Sequence, residues 1–214
     1  MIEDLKQKGK LRTIAYQKWE DLSRSLYELD VGGKRIGVFQ PGVGAPLAAG
    51  LMEEVIARGC RKIIACGGAG VLDKKIDVGT ILIPIVAIRD EGTSFHYLPP
   101  GREVRADERV VTIMESVLQK QDIQYLKVKA WTTNAPYRET PAKVKLRKVE
   151  GCLTVEMESA AFWAVAQFRD VRFGQLLYAG DVVSSSNWDA RGWQRKKTVR
   201  GKLFQLAVEI CLNL

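Results

Sequence analysis

Short apolar runs that end in glycine or polar residues, alternating with helix-length segments, constrain this chain more than any other feature. RKIIACGGAG (61–70), DVGTILIPIVAIRD (77–90), IQYLKVKAWTT (123–133), CLTVEM (152–157) and FGQLLYAGDVV (173–183) each read as a buried strand. KRIGVF (34–39) reads as a first, shorter strand that ends in the turn QPGVGAP. Between the runs lie helices. LAAGLMEEVIARG places Leu47, Leu51, Val55 and Ile56 on one face, and Gly59 stops it. ADERVVTIMESVLQKQ and ESAAFWAVAQF follow, and the last helix carries Val199, Leu203, Leu206, Ala207, Ile210 and Leu214 at a 3.6-residue period. Strands alternating with helices of this length predict an α/β fold with a largely parallel central sheet. With no repeat, low-complexity block or Ser/Pro-rich linker, residues 1–214 read as a single domain.

Composition narrows the function classes. Apolar residues make up 46% and charged residues 27%, as in ordinary globular proteins. No apolar run reaches the roughly 20 residues of a membrane span. MIEDLKQKGK has no apolar core of a secretory signal, so the cytoplasm is the expected location. Cys60, Cys66, Cys152 and Cys211 form no C-x-x-C pair and the chain has one histidine, which argues against a metal site and for buried reduced thiols. The net charge of +8 gathers in RGWQRKKTVRGK (191–202) and KVKLRK (143–148). A solvated helix face explains these clusters better than nucleic-acid binding, because no recognised module surrounds them.

In α/β sheets ligands collect at the carboxyl ends of the strands. Those ends are QPGVG, ACGGAG, AIRDEGTSFHY, TTNAPYRET, VEME and AGDVV. ACGGAG is not G-x-G-x-x-G, and no P-loop or G-x-S-x-G elbow is present. His96 has no sequence partner for a triad and reads as a loop histidine. Glu156 and Glu158, one residue apart in an apolar run, admit two readings. One is a helix-start carboxylate plus a structural salt bridge. The other is a pair of acceptors for the vicinal hydroxyls of a ribose, with Asp181 as a third carboxylate in the same crevice.

GVGAP, IACGGAG, VGTILIP, IRDEGTSFHYLPP, TTNAPYRET, TVEMESAAF and AGDVV, in this order from about Lys34 onward, resemble the nucleoside phosphorylases of the uridine phosphorylase and hexameric purine nucleoside phosphorylase type. The resemblance implies a three-layer α/β/α fold. It also implies cleavage of a nucleoside's N-glycosidic bond by phosphate, giving ribose 1-phosphate and free base in nucleoside salvage. Homo-oligomers, dimers or hexamers, and phosphate as co-substrate without metal or organic cofactor belong to the same expectation. By matching position, Met157 and Glu158 would touch the ribose with Glu156 beside them. Asp181 would protonate the leaving base, which calls for a pKa raised by its apolar neighbours. Cys66, Gly67, Tyr137 and Arg138 fall in the base-binding segments.

The phosphate half departs from the pattern. The family's Gly-Asp-Pro-x-x-Arg loop has no match, and residues 1–22 show neither that loop nor a strand leading to it, so the domain reads as short at its N-terminus. The second phosphate arginine falls at Lys62, its Ser/Thr neighbour at Ala65, and the base-stacking aromatic at Pro136. Lysine is a point charge, not a bidentate fork. Gly44, before a helix, is the other phosphate candidate, and Arg24 and Arg89 are cations that a neighbouring subunit would supply. Hydrolysis by water, or nucleoside binding without turnover, are the alternatives this leaves.

Overall fold

A computed structural model of the protein describes residues 2–20, 22–183, 188–195 and 197–214. Of the basic stretch 191–202, Lys196 lies outside the described residues. The chain forms two compact units, residues 1–42 and 43–214.

In the first unit a short helix, α1 (Ile2–Gln7), precedes an antiparallel meander of β1 (Leu11–Lys18), β2 (Ser23–Val31) and β3 (Lys34–Val38). The β2–β3 hairpin turns at Gly32 and Gly33, whose φ values of 60° and 83° suit a tight two-residue turn. The Gly33 N–H also bonds Asp30 Oδ1 at 3.0 Å. The expectation that residues 1–22 hold no strand is therefore corrected by β1, as is the reading of KRIGVF as the first strand of the central sheet. It is the third strand of a separate small one. The glycine pair between alternating runs carried that signal.

The second unit holds the predicted α/β core. Its elements are α2 (Ala45–Ala57), β4 (Lys62–Val71), β5 (Ile81–Asp90), β6 (Glu103–Arg105), α3 (Glu108–Lys120), β7 (Tyr125–Thr133), α4 (Pro141–Val149), β8 (Cys152–Glu156), α5 (Ser159–Arg169), β9 (Arg172–Val182) and α6 (Lys197–Asn213). The strand order is β6-β5-β7-β8-β4-β9. β5–β7, β7–β8 and β4–β9 run parallel; β4–β8, β5–β6 and β5–β9 run antiparallel. The β5–β9 pairing joins the last strand of this order to the second, so the sheet curls back on itself around Leu82, Val128, Leu177 and Ala179. The antiparallel share exceeds what the βα alternation predicts.

Two helix layers cover the sheet. Small residues on α2 and α5 (Ala45, Ala48, Ala49, Ala160, Ala161) let those helices pack closely over Ala87, Ala130 and Phe173. On the other side Val110, Met114 and Leu118 of α3 join Leu203, Leu206 and Ile210 of α6 against Ile81, Ile83 and Leu176. The periodic residues predicted for α6 are those it buries, with Val199 partly covered. The expected three-layer arrangement follows from these two apolar stripes.

Candidate functional site

Glu156 ends β8 and is 6% exposed. Its Oε1 accepts from Thr132 Oγ1 at 2.5 Å, and its Oε2 accepts from the backbone N–H groups of Glu158 and Ser159 at 2.7 and 2.6 Å. The parallel register pairs Thr132 with Glu156, so β7 delivers that hydroxyl. The same Thr132 oxygen accepts from Ala160 N at 3.0 Å. Together these groups satisfy the free amides of the first turn of α5. Burial pushes the Glu156 carboxyl up, against the hydrogen bonds that pull it down. Glu156 is thus the clamp of the strand-to-helix turn. The helix-start carboxylate expected at Glu158 is Glu156 instead, and no salt bridge to either glutamate occurs among the described residues.

Removing the clamp leaves two buried N–H groups without acceptors, each costing about 1–3 kcal/mol. Glu156→Ala is expected to lower unfolding stability by roughly 3 kcal/mol, read as a fall in the urea midpoint at unchanged slope. A midpoint equal to wild type refutes the clamp.

Glu158 occupies the N-cap position of α5 without capping it through its side chain. Its carboxylate points across to α2 instead, where Oε1 accepts from Gly44 N at 2.5 Å. Gly44 has φ 98° and ψ 142° at the N-terminus of a thirteen-residue helix, where unsatisfied amides favour an anion. Burial, together with the charge of Glu156, raises the Glu158 pKa to about 7. The amide expected to meet phosphate thus meets the chain's own carboxylate. Met157, half-buried, lies between the two glutamates.

Asp181 arises from a bulge. The β4–β9 register runs Ala69↔Ala179 and then Val71↔Val182, so Gly180 and Asp181 together oppose Gly70. Bulges of this kind re-aim a side chain at a strand end. A Cβ on Gly180 would lie 3.1 Å from the Ala69 carbonyl oxygen, and one on Gly70 would lie 3.4 Å from Asp181 Oδ1. Both glycines make room for the bulge and its carboxylate. Arg191 fixes it from outside: its guanidinium donates to the Gly180 carbonyl at 2.5 and 3.1 Å and to the Ile76 carbonyl at 2.7 Å. The indole N–H of Trp188 donates to Asp181 Oδ2.

Glu139 is half-buried and follows the 3-10 turn Pro136–Arg138; burial, together with the charge of Asp181, raises its pKa to about 7. The segment is held at both ends. Asn134 Nδ2 donates to the Glu91 carbonyl at 2.7 Å, and α4 is anchored where Arg147 meets Asp90 at 2.9 Å and Glu150 at 2.6 Å. The Trp131 indole N–H donates to the same Asp90.

Other predicted residues lie elsewhere. Lys62 is exposed at the first position of β4, eight residues before Gly70, and eight residues of extended chain span roughly 26 Å. The sheet does not bring it to Glu156 and Asp181. Cys66 sits midway along β4 against the α3/α6 layer, and burial pushes its thiol to about 11. Gly67 is half-exposed beside it; Tyr137 and Arg138 stand in solvent on the 3-10 turn, Tyr137 fully exposed. Arg89 is buried and committed to its own loop, donating to Ser94 Oγ at 2.8 Å, Pro99 O at 2.7 Å and Leu98 O at 3.2 Å. Arg24 lies half-buried on β2.

The basic clusters are only partly a solvated face, since Arg147 is buried, Arg191 braces the bulge and Arg200 Nε donates to Tyr178 Oη at 3.1 Å. The cysteines are free; only Cys152 is fully buried. Among the described residues no cluster of metal-ligating side chains and no helix long and apolar enough to cross a membrane is present.

Thr132, Glu139 and Trp188 are the members of this site that sequence reasoning missed. Thr132 needed the register and Trp188 the path of the chain after β9. Glu139 stood in YRET beside two chosen residues, and its burial was the missing information.

Residues 2–206 match the family model described as the phosphorylase superfamily. Among curated proteins, a guanosine phosphorylase of Halorubrum lacusprofundi is 25% identical over 187 residues, 85% of this chain and 76% of its own length. An uncharacterized protein, R802, of Acanthamoeba polyphaga mimivirus is 28% identical over 148 residues, 68% of this chain; the match spans 57% of the viral protein. Among solved structures, the purine nucleoside phosphorylase of Toxoplasma gondii superposes with a TM-score of 0.84 at 20% identity, covering 99% of this chain and 86% of that one. An AMP nucleosidase of Bacteroides thetaiotaomicron superposes with a TM-score of 0.77 at 20% identity, covering 99% and 82%. At such identity the two structures speak for the fold.

Proposed function

The chain belongs to the phosphorylase superfamily, and from that premise we propose that it cleaves the N-glycosidic bond of a nucleoside to release the free base. The observation that carries this reading is that Gly70 of β4 joins the ends of β8 and β9: it pairs with Val155, next to Glu156, and a Cβ on it would lie 3.4 Å from Asp181 Oδ1. The clamp at Glu156 holds Glu158, and the bulge at Gly180 projects Asp181. Breaking the C1′–N bond develops positive charge on the sugar and negative charge on the base. Glu158, held against Gly44, grips the ribose hydroxyls and stabilises the developing cation. Asp181 serves the base nitrogen with a proton. Met157 contributes the apolar contact between them, and Tyr137 and Arg138 meet the base from the rim.

Phosphate is the acceptor in the primary reading, in keeping with the guanosine phosphorylase to which the chain is similar. A second reading, with water as acceptor, is favoured by two observations. The Gly44 amide is taken by Glu158, and Lys62 begins its strand far from the carboxylates. The same fold carries an AMP nucleosidase. Chromatographic assay of base release from a panel of purine and pyrimidine nucleosides, with and without phosphate, decides. Release that depends on phosphate supports phosphorolysis, phosphate-independent release supports hydrolysis, and no release in either condition overturns both.

A further inference from the structure

Three described residues other than glycine hold a left-handed backbone: Asp122, Asp170 and Arg191, with φ values of 53°, 51° and 44°. Asp122 and Asp170 stand just past α3 and α5, where this conformation is a common helix stop and a short polar side chain tolerates it. Arg191 ends no helix. It lies in the return segment after β9, where Asp189 pairs with Val182 through backbone hydrogen bonds of 2.8 and 3.2 Å. Asp189 Oδ1 accepts from the Arg191 N–H at 2.9 Å. A long side chain on a left-handed backbone is strained and persists only where its surroundings hold it there.

The guanidinium is what holds it. Nε and Nη2 donate to the Gly180 carbonyl at 3.1 and 2.5 Å, and Nη1 donates to the Ile76 carbonyl at 2.7 Å. Among the described residues no carboxylate pairs with this cation. A charged fork spent on backbone carbonyls fixes chain rather than balancing charge. The carbonyl it grips belongs to the residue before Asp181. Gly180 and Asp181 together oppose Gly70, so the ladder carries one residue too many here and the extra residue takes its support from outside it. Ile76 lies in the connection from β4 to β5, whose Gly79 N–H bonds the Ala179 carbonyl at 2.7 Å. Arg191 thereby ties the bulge to a loop that is itself pinned to the residue before the bulge. Trp193 packs beside them: a Cβ on Gly180 would lie 3.8 Å from the Trp193 Cβ.

We propose that Arg191 is a positioning residue of the cleavage site, locking the Gly180 bulge in the register that presents the Asp181 carboxyl group to the leaving base. It touches no reacting atom. The C1′–N bond breaks, its electron pair goes to the base, and a base nitrogen takes the proton from Asp181; Arg191 decides where that proton stands. Without the fork the bulge can relax towards regular pairing, and a slip of one residue turns a side chain to the other face of the sheet. Lysine does not replace the fork, because an ammonium is a point charge without the fixed directions that engage both carbonyls. The inference rests on the glycosidic-cleavage reading, because Asp181 is the group it positions.

The test is a double-mutant cycle of Arg191→Ala and Asp181→Ala, read on a nucleoside series of graded base pKa, with Arg191→Lys alongside. Arg191→Ala is expected to lower kcat roughly 10- to 100-fold, the cost of displacing a reacting group by about 1 Å, while KM moves little. The loss should grow as the base becomes a poorer leaving group, because delivery of the proton is what fails. In the Asp181→Ala background the same substitution is expected to cost almost nothing further, since it acts only through that carboxyl group. Arg191→Lys keeps the charge and loses the fork, and is expected to fall between wild type and Arg191→Ala. A second readout needs no turnover. The Trp188 indole N–H donates to Asp181 Oδ2, so its resonance in a ¹H–¹⁵N spectrum, assigned with Trp188→Phe, reports where the carboxylate stands. Arg191→Ala is expected to move that resonance towards its place in Asp181→Ala. An equal loss of kcat in both backgrounds, a leaving-group dependence parallel to wild type, or an unmoved indole resonance overturns the inference. If wild type releases no base while the resonance moves, Arg191 positions Asp181 but the glycosidic reading fails, so the two failures are distinguishable. Should Arg191→Ala not fold, Arg191→Lys decides on the same readouts, and wild-type values in both overturn the inference.

Discussion

Glu158→Ala is expected to lower kcat/KM for nucleoside cleavage by roughly 10²–10³, the usual loss when a single preorganised group facing transition-state charge is removed. Its carboxylate is fixed by the Gly44 amide, and its backbone N–H is tied to Glu156. The substitution therefore removes the sugar contact without undoing the turn, and stability is expected to fall by only about 1–3 kcal/mol, the cost of the one Gly44 N–H it leaves without an acceptor. Glu158→Gln separates shape from charge. It retains a hydrogen-bonding group for the hydroxyls but cannot stabilise the oxocarbenium as an anion, so its loss is expected to fall on kcat more than on KM. Unchanged kcat/KM in the alanine variant would remove Glu158 from the ribose. The raised pKa of about 7 adds a pH signature. The ionised form stabilises the cation, so the acid limb of the rate profile is expected to rise through neutrality and to vanish in Glu158→Gln.

Asp181→Ala is expected to cost roughly 10²–10⁴ in kcat, the range of general acid catalysis. The loss should depend on the leaving group: bases that leave as stable anions need less protonation and should suffer less. A nucleoside series of graded base pKa measures this as a steeper dependence in the variant than in wild type. A parallel dependence would show that Asp181 does not deliver the proton. Trp188 loses its acceptor in this variant, so Asp181→Asn, which keeps a carbonyl for the indole N–H, is the better control for shape. The two variants should agree in rate if the proton matters and differ if the Trp188 contact does.

Legibility in the sequence follows the range of the interactions. The buried strands and the amphipathic helices were readable because apolar periodicity is local, and α6 buries the stripe its spacing predicts. The stretch VEMES announced a strand end turning into a helix with carboxylates at the junction. Which carboxylate does what was not readable. Glu156 takes the helix amides because β7 pairs with β8 in the register that sets Thr132 opposite it. Glu158 is thereby left to reach for Gly44, 114 residues earlier. The hairpin around Gly32 and Gly33 diverted KRIGVF into a separate small sheet although its composition suits a central strand equally well.

By itself, then, the sequence determined the α/β class, the strand–helix order from Gly44 onward apart from β6 and α4, and the presence of carboxylates at the ends of β8 and β9. Only the tertiary structure decided the division of labour at VEMES, the bulge that projects Asp181, the burial of Glu139, and the distance of Lys62 from the strand ends. The reason is physical. Periodicity and capping act within a few residues, whereas burial, register and charge proximity depend on segments brought together by the closed sheet, and those terms set the pKa values and the geometry on which the proposed chemistry rests.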